Sequence, residues 1–464
     1  MKPLLRLLLV SAALLPIGPA CGAAPARPNV LFVIADDLNK SLGAYGDALA
    51  RSPNVDRLAA RAVRFDRAYC QYPVCSPSRV SFLSGRRPET TRMFGNEGSS
   101  RTPPLAHAVF MPEYFRQQGY FTARVGKVFH IGRDVPECWD VTEEGTGLAK
   151  TLFQPAELKE LDLERTVVAQ QKNRVGAGEG NTWAIIDASD DQLIDHKIAD
   201  RAIALIDQGR TSGKPFFVAC GFRRPHLPRY ATKEYFAPFD AARLPLPPAP
   251  PADAVLPEPR VAITDQAQRE ALRSYLACVA LMDAQLGRVL AALDRDKLWD
   301  NTIVVFLGDH GYLTGSRGGW WGKGILYDEA VSTTLLIAAP GAPRGVASPR
   351  VIEFLDFYPT LAALCGLPAP TGVAGRSFVP LITDPRAPWD HPAFSMVARN
   401  GRPHALAVST ERHRLIENAD GSLELYDLQA DPHEWSNLAS VAAHAADLAR
   451  LRTLTAAHRE KFWR

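Results

Sequence analysis

Three stretches of this chain are apolar at consecutive rather than alternate positions: Val30–Ile34 after Asn29, Phe216–Cys220 after Pro215, and Ile303–Leu307 after Thr302. Each is short and rich in β-branched or aromatic residues. A strand with one wet face alternates apolar and polar side chains; a run with no polar face must be covered on both sides. Parallel strands sandwiched between two helical layers meet that demand. Between the second and third runs, Gln266 to about Leu293 carries Leu272, Tyr275, Leu276, Val279, Met282, Leu286, Val289 and Leu293 at helical spacing, an apolar stripe suited to one such layer. Ser52-Pro53-Asn54 reads as the start of another helix, with Val55, Leu58, Ala59 and Ala62 on its inner face. The expected fold is α/β, a large mixed, mostly parallel sheet flanked by helices. From about Pro385 the pattern changes to short strand-like runs, Ala393–Ala398, Ala405–Ser409, Arg414–Glu417 and Leu423–Leu428, followed by a final helix. This predicts a main unit over 25–384 and a smaller C-terminal subdomain over 385–464, an antiparallel sheet with one helix.

The first 24 residues read as a signal peptide: Lys2 and Arg6, then an apolar Leu7–Ile17, then small residues through Ala24. Export to the periplasm or the medium is expected. Cys21 after Ala20 is also a candidate lipidation site, and only that anchor would tie the chain to a membrane. A net charge of +3, from 53 basic and 50 acidic residues, excludes a strongly basic nucleic-acid binder. Beyond Cys21 there are six cysteines, at 70, 75, 138, 220, 278 and 365, which could pair in an oxidising compartment.

Ligands of open α/β sheets bind beyond the carboxyl ends of the strands. Asp36-Asp37 follows the first apolar run, and Asp309-His310-Gly311 follows the third. Three carboxylates there supply hard oxygens suited to Ca²⁺ or Mg²⁺. The most informative segment is Cys75-Ser76-Pro77-Ser78-Arg79, followed by Leu83-Ser84-Gly85-Arg86. Pro77 suits the first turn of a helix. Cys75 would then sit at the positive helix end with Arg79 one turn on, a setting that favours negative charge on residue 75 and on a bound oxyanion.

These motifs resemble the sulfatase family of the alkaline-phosphatase superfamily, whose signature is Cys-x-Pro-Ser-Arg with Leu-x-Ser/Thr-Gly-Arg just after it. The resemblance extends through Pro28-Asn29-Val30, Ser52-Pro53-Asn54-Val55-Asp56, Asp309-His310-Gly311 and the tail Glu424 to Pro432. Leu42–Gly46, Gly126–His130 and Arg224–Pro228 make it most similar to iduronate-2-sulfatases. The resemblance implies an alkaline-phosphatase-like fold and hydrolysis of sulfate esters on a uronate-containing saccharide. It also implies oxidation of Cys75 to Cα-formylglycine by a dedicated formylglycine-generating enzyme. By the same resemblance, Asp36, Asp37, Asp309, His310 and residue 75 would hold one Ca²⁺, and Arg79 would hold the formylglycine diol. Lys127 and Lys323 would contact sulfate oxygens. His130 would orient or deprotonate the diol, and His226 would protonate the leaving oxygen.

One segment departs from the iduronate type. Where those relatives usually carry Leu-Gly-Glu-His-Gly, this chain reads Leu313 to Gly318 as Leu-Thr-Gly-Ser-Arg-Gly, then Gly319-Trp320-Trp321-Gly322-Lys323. Arg317, Trp320 and Trp321 are expected to form a sugar platform with a partner for a carboxylate or second sulfate; the competing reading is a loop whose aromatics simply pack. Two other functions fit parts of the pattern: a phosphate or phosphonate monoester hydrolase of the same superfamily, and a non-catalytic carbohydrate-binding relative.

Overall fold

The computed structural model describes residues 27–143, 167–171, 182–256 and 263–463. The leader expected over 1–24, with Cys21, lies outside the described residues.

The central sheet has nine strands. In chain order they are β1 (Asn29–Asp36), β2 (Val63–Tyr69), β3 (Phe121–Gly126), β4 (Val141–Glu143), β5 (Phe216–Pro225), β6 (Thr302–Gly308), β7 (Ser332–Thr333), β8 (Leu335–Ala338) and β9 (Val346–Glu353). Strand β1 is central, with β5 and β6 parallel on either side. β3 and β4 continue the parallel order beyond β5. Beyond β6, β8 runs antiparallel and leads to β2, which also pairs with the short β7 in antiparallel and with β9 in parallel. The sheet is therefore mixed and mostly parallel.

The consecutive apolar runs have a direct physical origin. Along β1, Val30, Phe32 and Ile34 point into one core, while Leu31, Val33 and Ala35 point into the other. β6 divides in the same way, with Ile303, Val305 and Leu307 on the first face and Val304 and Phe306 on the second. On the first face lie the helices α2 (Cys75–Ser84), α3 (Met111–Gln117) and α6 (Phe357–Leu364). On the second lie α1 (Pro53–Ala59), α4 (Ile194–Thr211) and α5 (Asp265–Arg295). Period-2 side chains between two layers leave no position for a polar residue.

Helix α5 starts one residue before and ends two after the span read from periodicity. Thr264 caps it, its hydroxyl accepting from the Ala267 amide at 3.2 Å. It is the one described helix long and apolar enough to cross a membrane by length and composition, but its stripe lies in the core. Helix α1 differs from expectation at its cap. The Ser52 hydroxyl accepts from the Gly43 amide instead, and the cap comes from another helix: Asp283 of α5 accepts from the Asn54 amide at 3.2 Å and the Val55 amide at 2.7 Å.

The C-terminal strands β10 (Ala393–Arg399), β11 (Arg402–Ser409), β12 (His413–Asn418) and β13 (Leu423–Asp427) form an antiparallel sheet in sequence order, covered by α7 (Ala445–Phe462). Val408, Leu415 and Leu425 meet Leu451 of the helix. The sheet is tied to the larger unit where the Met396 amide donates to the Gln71 carbonyl at 2.9 Å and the Ser395 hydroxyl to the Cys70 carbonyl at 2.6 Å. The six described cysteines are all buried as free thiols, so the pairing considered from their number does not occur among the described residues.

Candidate active site

The ends of β1 and β6, the start of α2 and the residue after β3 converge on one buried cluster. Asp36 ends β1, and Asp37 follows in a left-handed conformation, with φ of 61°. Such a backbone is rare for a non-glycine residue and persists only where its surroundings hold it. Here the Asp37 amide donates to Asp309 Oδ1 at 3.1 Å, and its carbonyl accepts from the Tyr275 hydroxyl at 2.8 Å. The same hydroxyl accepts from the Asn39 amide at 2.9 Å. Tyr275 thus pins the turn that presents both carboxylates. From sequence it was only one more residue of an apolar stripe, because nothing in periodicity distinguishes a tyrosine whose hydroxyl has a backbone partner.

Cys75 is the first residue of α2 and is fully buried. Asn96 Oδ1 accepts from the Ser76 amide at 3.0 Å, and the Ser78 hydroxyl donates to the Asp309 carbonyl at 2.5 Å. These two contacts fix the helix start and had no sequence signature. Arg79, one turn on, bridges two carboxylates: Nε donates to Asp309 Oδ2 at 2.9 Å and Nη2 to Asp36 Oδ1 at 3.1 Å. Its Nη1 donates to the carbonyls of Lys127 and Val128. It is therefore a buried positioning cation. The expectation that the helix end favours negative charge on residue 75 is reversed for the thiol itself: burial, reinforced by Asp36, pushes the Cys75 thiol up, outweighing Lys127 and Lys323.

Lys127 enters through a close contact between two strands. Gly126, at φ of 73°, and Gly221 lie so near that a Cβ on Gly126 would fall 2.1 Å from the Gly221 carbonyl oxygen, and one on Gly221 2.1 Å from the Lys127 carbonyl oxygen. That approach lets Lys127 turn inward and pair with Asp36. Lys323 pairs with Asp37, and its Nζ lies 3.2 Å from Cys75 Sγ. Burial alone would raise the Asp36 carboxyl, but Lys127, His226, Arg79 and Lys323 together hold it well below the usual carboxylate range. For Asp37 burial is likewise outweighed, chiefly by His226 and Lys323, and its carboxyl is lowered to about 2.

The histidines fall into defined tautomers. His310 donates from Nδ1 to the Gly311 carbonyl at 2.7 Å, which turns Nε2 toward Cys75 Sγ at 3.5 Å and Asp37 Oδ1 at 3.4 Å. His226 donates from Nδ1 to the Leu227 carbonyl, which leaves Nε2, 3.8 Å from Asp37 Oδ2, as the nitrogen that gains and loses a proton. Its side chain is 27% exposed, so unlike the carboxylates it reaches the solvent side of the cluster. Burial, followed by Lys127, lowers His130 to about 3, which holds the ring neutral, and its buried Nδ1 has no hydrogen-bond partner.

The structure thus brings together Asp36, Asp37, Cys75, Arg79, Lys127, His226, Asp309, His310 and Lys323, with His130 beside Lys127. It does not bring in the expected sugar platform. Arg317 is buried under Tyr327, with its guanidinium 3.4 Å from the ring centroid, and donates to the carbonyls of His433, Glu434 and Val255. Trp321 is fully buried in the core of the second helical layer, beneath the Arg229 guanidinium. Neither presents a surface to a ligand; a planar cation that satisfies three loop carbonyls, and an indole packed on all sides, are structural. Trp320 alone is partly exposed.

The donor atoms of Asp36, Asp37, Cys75 and His226 lie within 4.8 Å of one another, as do those of Cys75, Asp309 and His310. Asp37 Oδ2 is buried and accepts no hydrogen bond. An anionic oxygen in that state is costly unless a cation meets it, and hard oxygens with one imidazole fit a Ca²⁺-type ion.

A cluster of this kind at the carboxyl end of a mixed α/β sheet is the arrangement of an alkaline-phosphatase-like hydrolase. Comparison with known proteins agrees. The sulfatase family profile matches residues 28–367, and the profile of the N-sulphoglucosamine sulphohydrolase C-terminal region matches 316–461. A sulfatase of Formosa agariphila is 32% identical, over 92% of this chain and 86% of its own. The iduronate 2-sulfatase of Mus musculus is 31% identical, over 90% of this chain and 77% of its own. Among solved structures, a phosphonate monoester hydrolase from Silicibacter pomeroyi is similar with a TM-score of 0.76 and 26% identity, covering 94% of this chain and 96% of its own. The chain belongs to the sulfatase family, enzymes that hydrolyse sulfate esters.

Proposed function

We propose that this sulfatase acts outside the cytoplasm on a sulfated, uronate-containing saccharide, with Cys75 oxidised to Cα-formylglycine during maturation and one Ca²⁺ at the carboxylates. The observation that carries the reading is the seating of the Cys75 side chain between Lys323 Nζ and His310 Nε2 at the orphaned Asp37 oxygen. The similarity to iduronate 2-sulfatase supports the saccharide class, and the sequence of residues 1–24 supports export.

Formylglycine, when formed and hydrated, supplies a hydroxyl to attack sulfur and a second hydroxyl whose deprotonation expels sulfate, which a plain Cys or Ser lacks. Calcium, when bound by Asp36, Asp37, Asp309 and His310, supplies charge that acidifies the nucleophile and draws electron density from sulfate oxygens. The chain's own residues do the rest. Arg79 locks Asp36 and Asp309 in place across the helix start. Lys127 and Lys323, held inward by their carboxylates, are aimed at the transferred group and neutralise charge that grows on its oxygens. His130, neutral and with its buried Nδ1 open, orients the attacking hydroxyl or takes its proton. His226, with Nδ1 committed to Leu227, delivers a proton from Nε2 to the leaving sugar oxygen.

Peptide mass at Cys75, with assays on 2-O-, 6-O- and N-sulfated saccharides beside a phosphate monoester, tests this. An aldehyde at residue 75, preferential sulfate release and loss of turnover in Cys75→Ala are expected. Full turnover by unmodified thiol protein would overturn the nucleophile. The likeness to a phosphonate monoester hydrolase makes that activity the second reading, and a faster phosphoester reaction would establish it.

A further inference from the structure

A second cleft lies away from the cluster, at the opposite end of the nucleophile's helix. Arg86 and Arg87 follow the C-terminus of the ten-residue α2, which places them about 15 Å from Cys75 at 1.5 Å per residue. They form one side of a cleft of about 660 Å³, closed by α7 opposite and by the segments around Arg376 and Trp389. That volume is the size of a small-ligand site.

Its lining is cationic and largely uncompensated. Glu353 and Asp356 are the acidic residues in the wall, and both are committed. Glu353 takes a two-pronged bond from Arg87 at 2.9 and 2.6 Å and accepts from the Phe394 amide. Asp356 accepts from the amides of Glu353 and Arg376. Among the described residues Arg86, Arg376 and Lys461 form no ion pair with a carboxylate. Arg87 is 7% exposed and its Nε–H has no acceptor. An orphaned buried guanidinium donor facing three unpaired cations calls for an anion. The aromatic surface is held in place: Trp389 Nε1 donates to the Val351 carbonyl at 2.8 Å, and the His391 ring stands edge-on to Trp389 at 4.6 Å, within reach of Arg376. A rigid indole beside spaced cations matches a ligand with a flat apolar face and several anionic groups, which is the chemistry of a sulfated or carboxylated saccharide.

We propose that this cleft is an accessory, non-catalytic site for an anionic oligosaccharide. Its ligand class rests on the saccharide-sulfatase reading above. A chain held there raises the effective concentration of its own sulfate esters at Cys75, so the benefit falls on long substrates and not on small ones.

The test compares the full-length enzyme with an Arg86→Gln/Arg376→Gln/Lys461→Gln variant and with Arg376→Gln alone, an exposed position that leaves the core untouched. A heparin octasaccharide is titrated by calorimetry and assayed as substrate, beside an aryl sulfate. The triple variant should lose one binding event, or weaken it at least tenfold, and raise KM for the octasaccharide while kcat and aryl sulfate turnover stay the same. The single variant should show a smaller shift in the same direction. Unchanged octasaccharide binding in both variants would overturn the site, as would an equal loss on the aryl sulfate. Equal displacement of the octasaccharide by single-stranded DNA would overturn the saccharide assignment. Binding is read independently of turnover, so an enzyme that desulfates none of the panel refutes the proposed substrate and still leaves the cleft tested.

Discussion

At the residue scale the active cluster is a balanced set of charges. Asp36, Asp37 and Asp309 face Arg79, Lys127 and Lys323, and each cation touches a carboxylate or, for Lys323, also Cys75. His226 is the member that reaches solvent, and its Nδ1 bond leaves Nε2 as the nitrogen that exchanges a proton, the acid we propose for the leaving oxygen. A sugar alkoxide needs a proton to leave, whereas a nitrophenolate does not. His226→Ala should therefore slow hydrolysis of sugar sulfates by about 10²–10⁴-fold while sparing an activated aryl sulfate, as measured by kcat/KM on the two substrates. Equal losses would move the acid role elsewhere.

At the element scale the site depends on contacts that no single strand or helix provides. The Gly126–Gly221 approach is what turns Lys127 inward. Gly221→Ala must displace the Lys127 backbone; such overpacking costs about 1–3 kcal/mol, so the thermal midpoint should fall and kcat should drop with it. A stable, fully active variant would show that the approach is incidental. The α1 cap offers a second test. Asp283 is buried, which raises its carboxyl to about 6 despite the bonds it accepts from Val55 and Asn54. A raised carboxyl binds its proton more tightly in the folded state, so it adds stability below the unfolded value near 4 and loses it as pH rises through 6. The wild type's stability margin over Asp283→Asn should thus be greater at pH 4 than at pH 7, by ~3 kcal/mol at most. Denaturant titrations at the two values measure it, and a margin independent of pH would contradict the assignment.

At the scale of the whole molecule, the cluster need not hold the fold together. Three cations already face the three buried carboxylates, so removing a divalent ion leaves the Asp37 Oδ2 oxygen unpartnered but the charges of the cluster otherwise paired. Chelation should abolish sulfate release while circular dichroism stays native and the unfolding free energy falls only by the linkage due to lost binding, about 2.7 kcal/mol at a hundredfold excess over Kd. Global unfolding on chelation would show that the metal is structural. Mature material should also show no leader, which N-terminal sequencing checks.

Much of this was legible in the chain. Val30–Ile34 and Ile303–Leu307 read as doubly covered strands, since period-2 side chains with no polar position leave no wet face. The four C-terminal strands and the long α5 followed from turn residues and helical spacing. Cys75, Arg79 and the three aspartates were visible because their order in sequence is itself the motif. What sequence could not decide was which side chains face the site and which face the core. Arg317 and Trp321 have the composition of a sugar platform, yet burial against loop carbonyls and the second helical layer makes them structural. Tyr275 reads as stripe and acts as an anchor, Ser52 reads as a cap and serves Gly43, and the Cys75 thiol is raised by burial where the helix end alone would lower it. Local pattern determined the elements, because propensity and periodicity act within a few residues. Tertiary structure decided the roles, because burial, charge pairing and cap exchange depend on neighbours a hundred or more positions away.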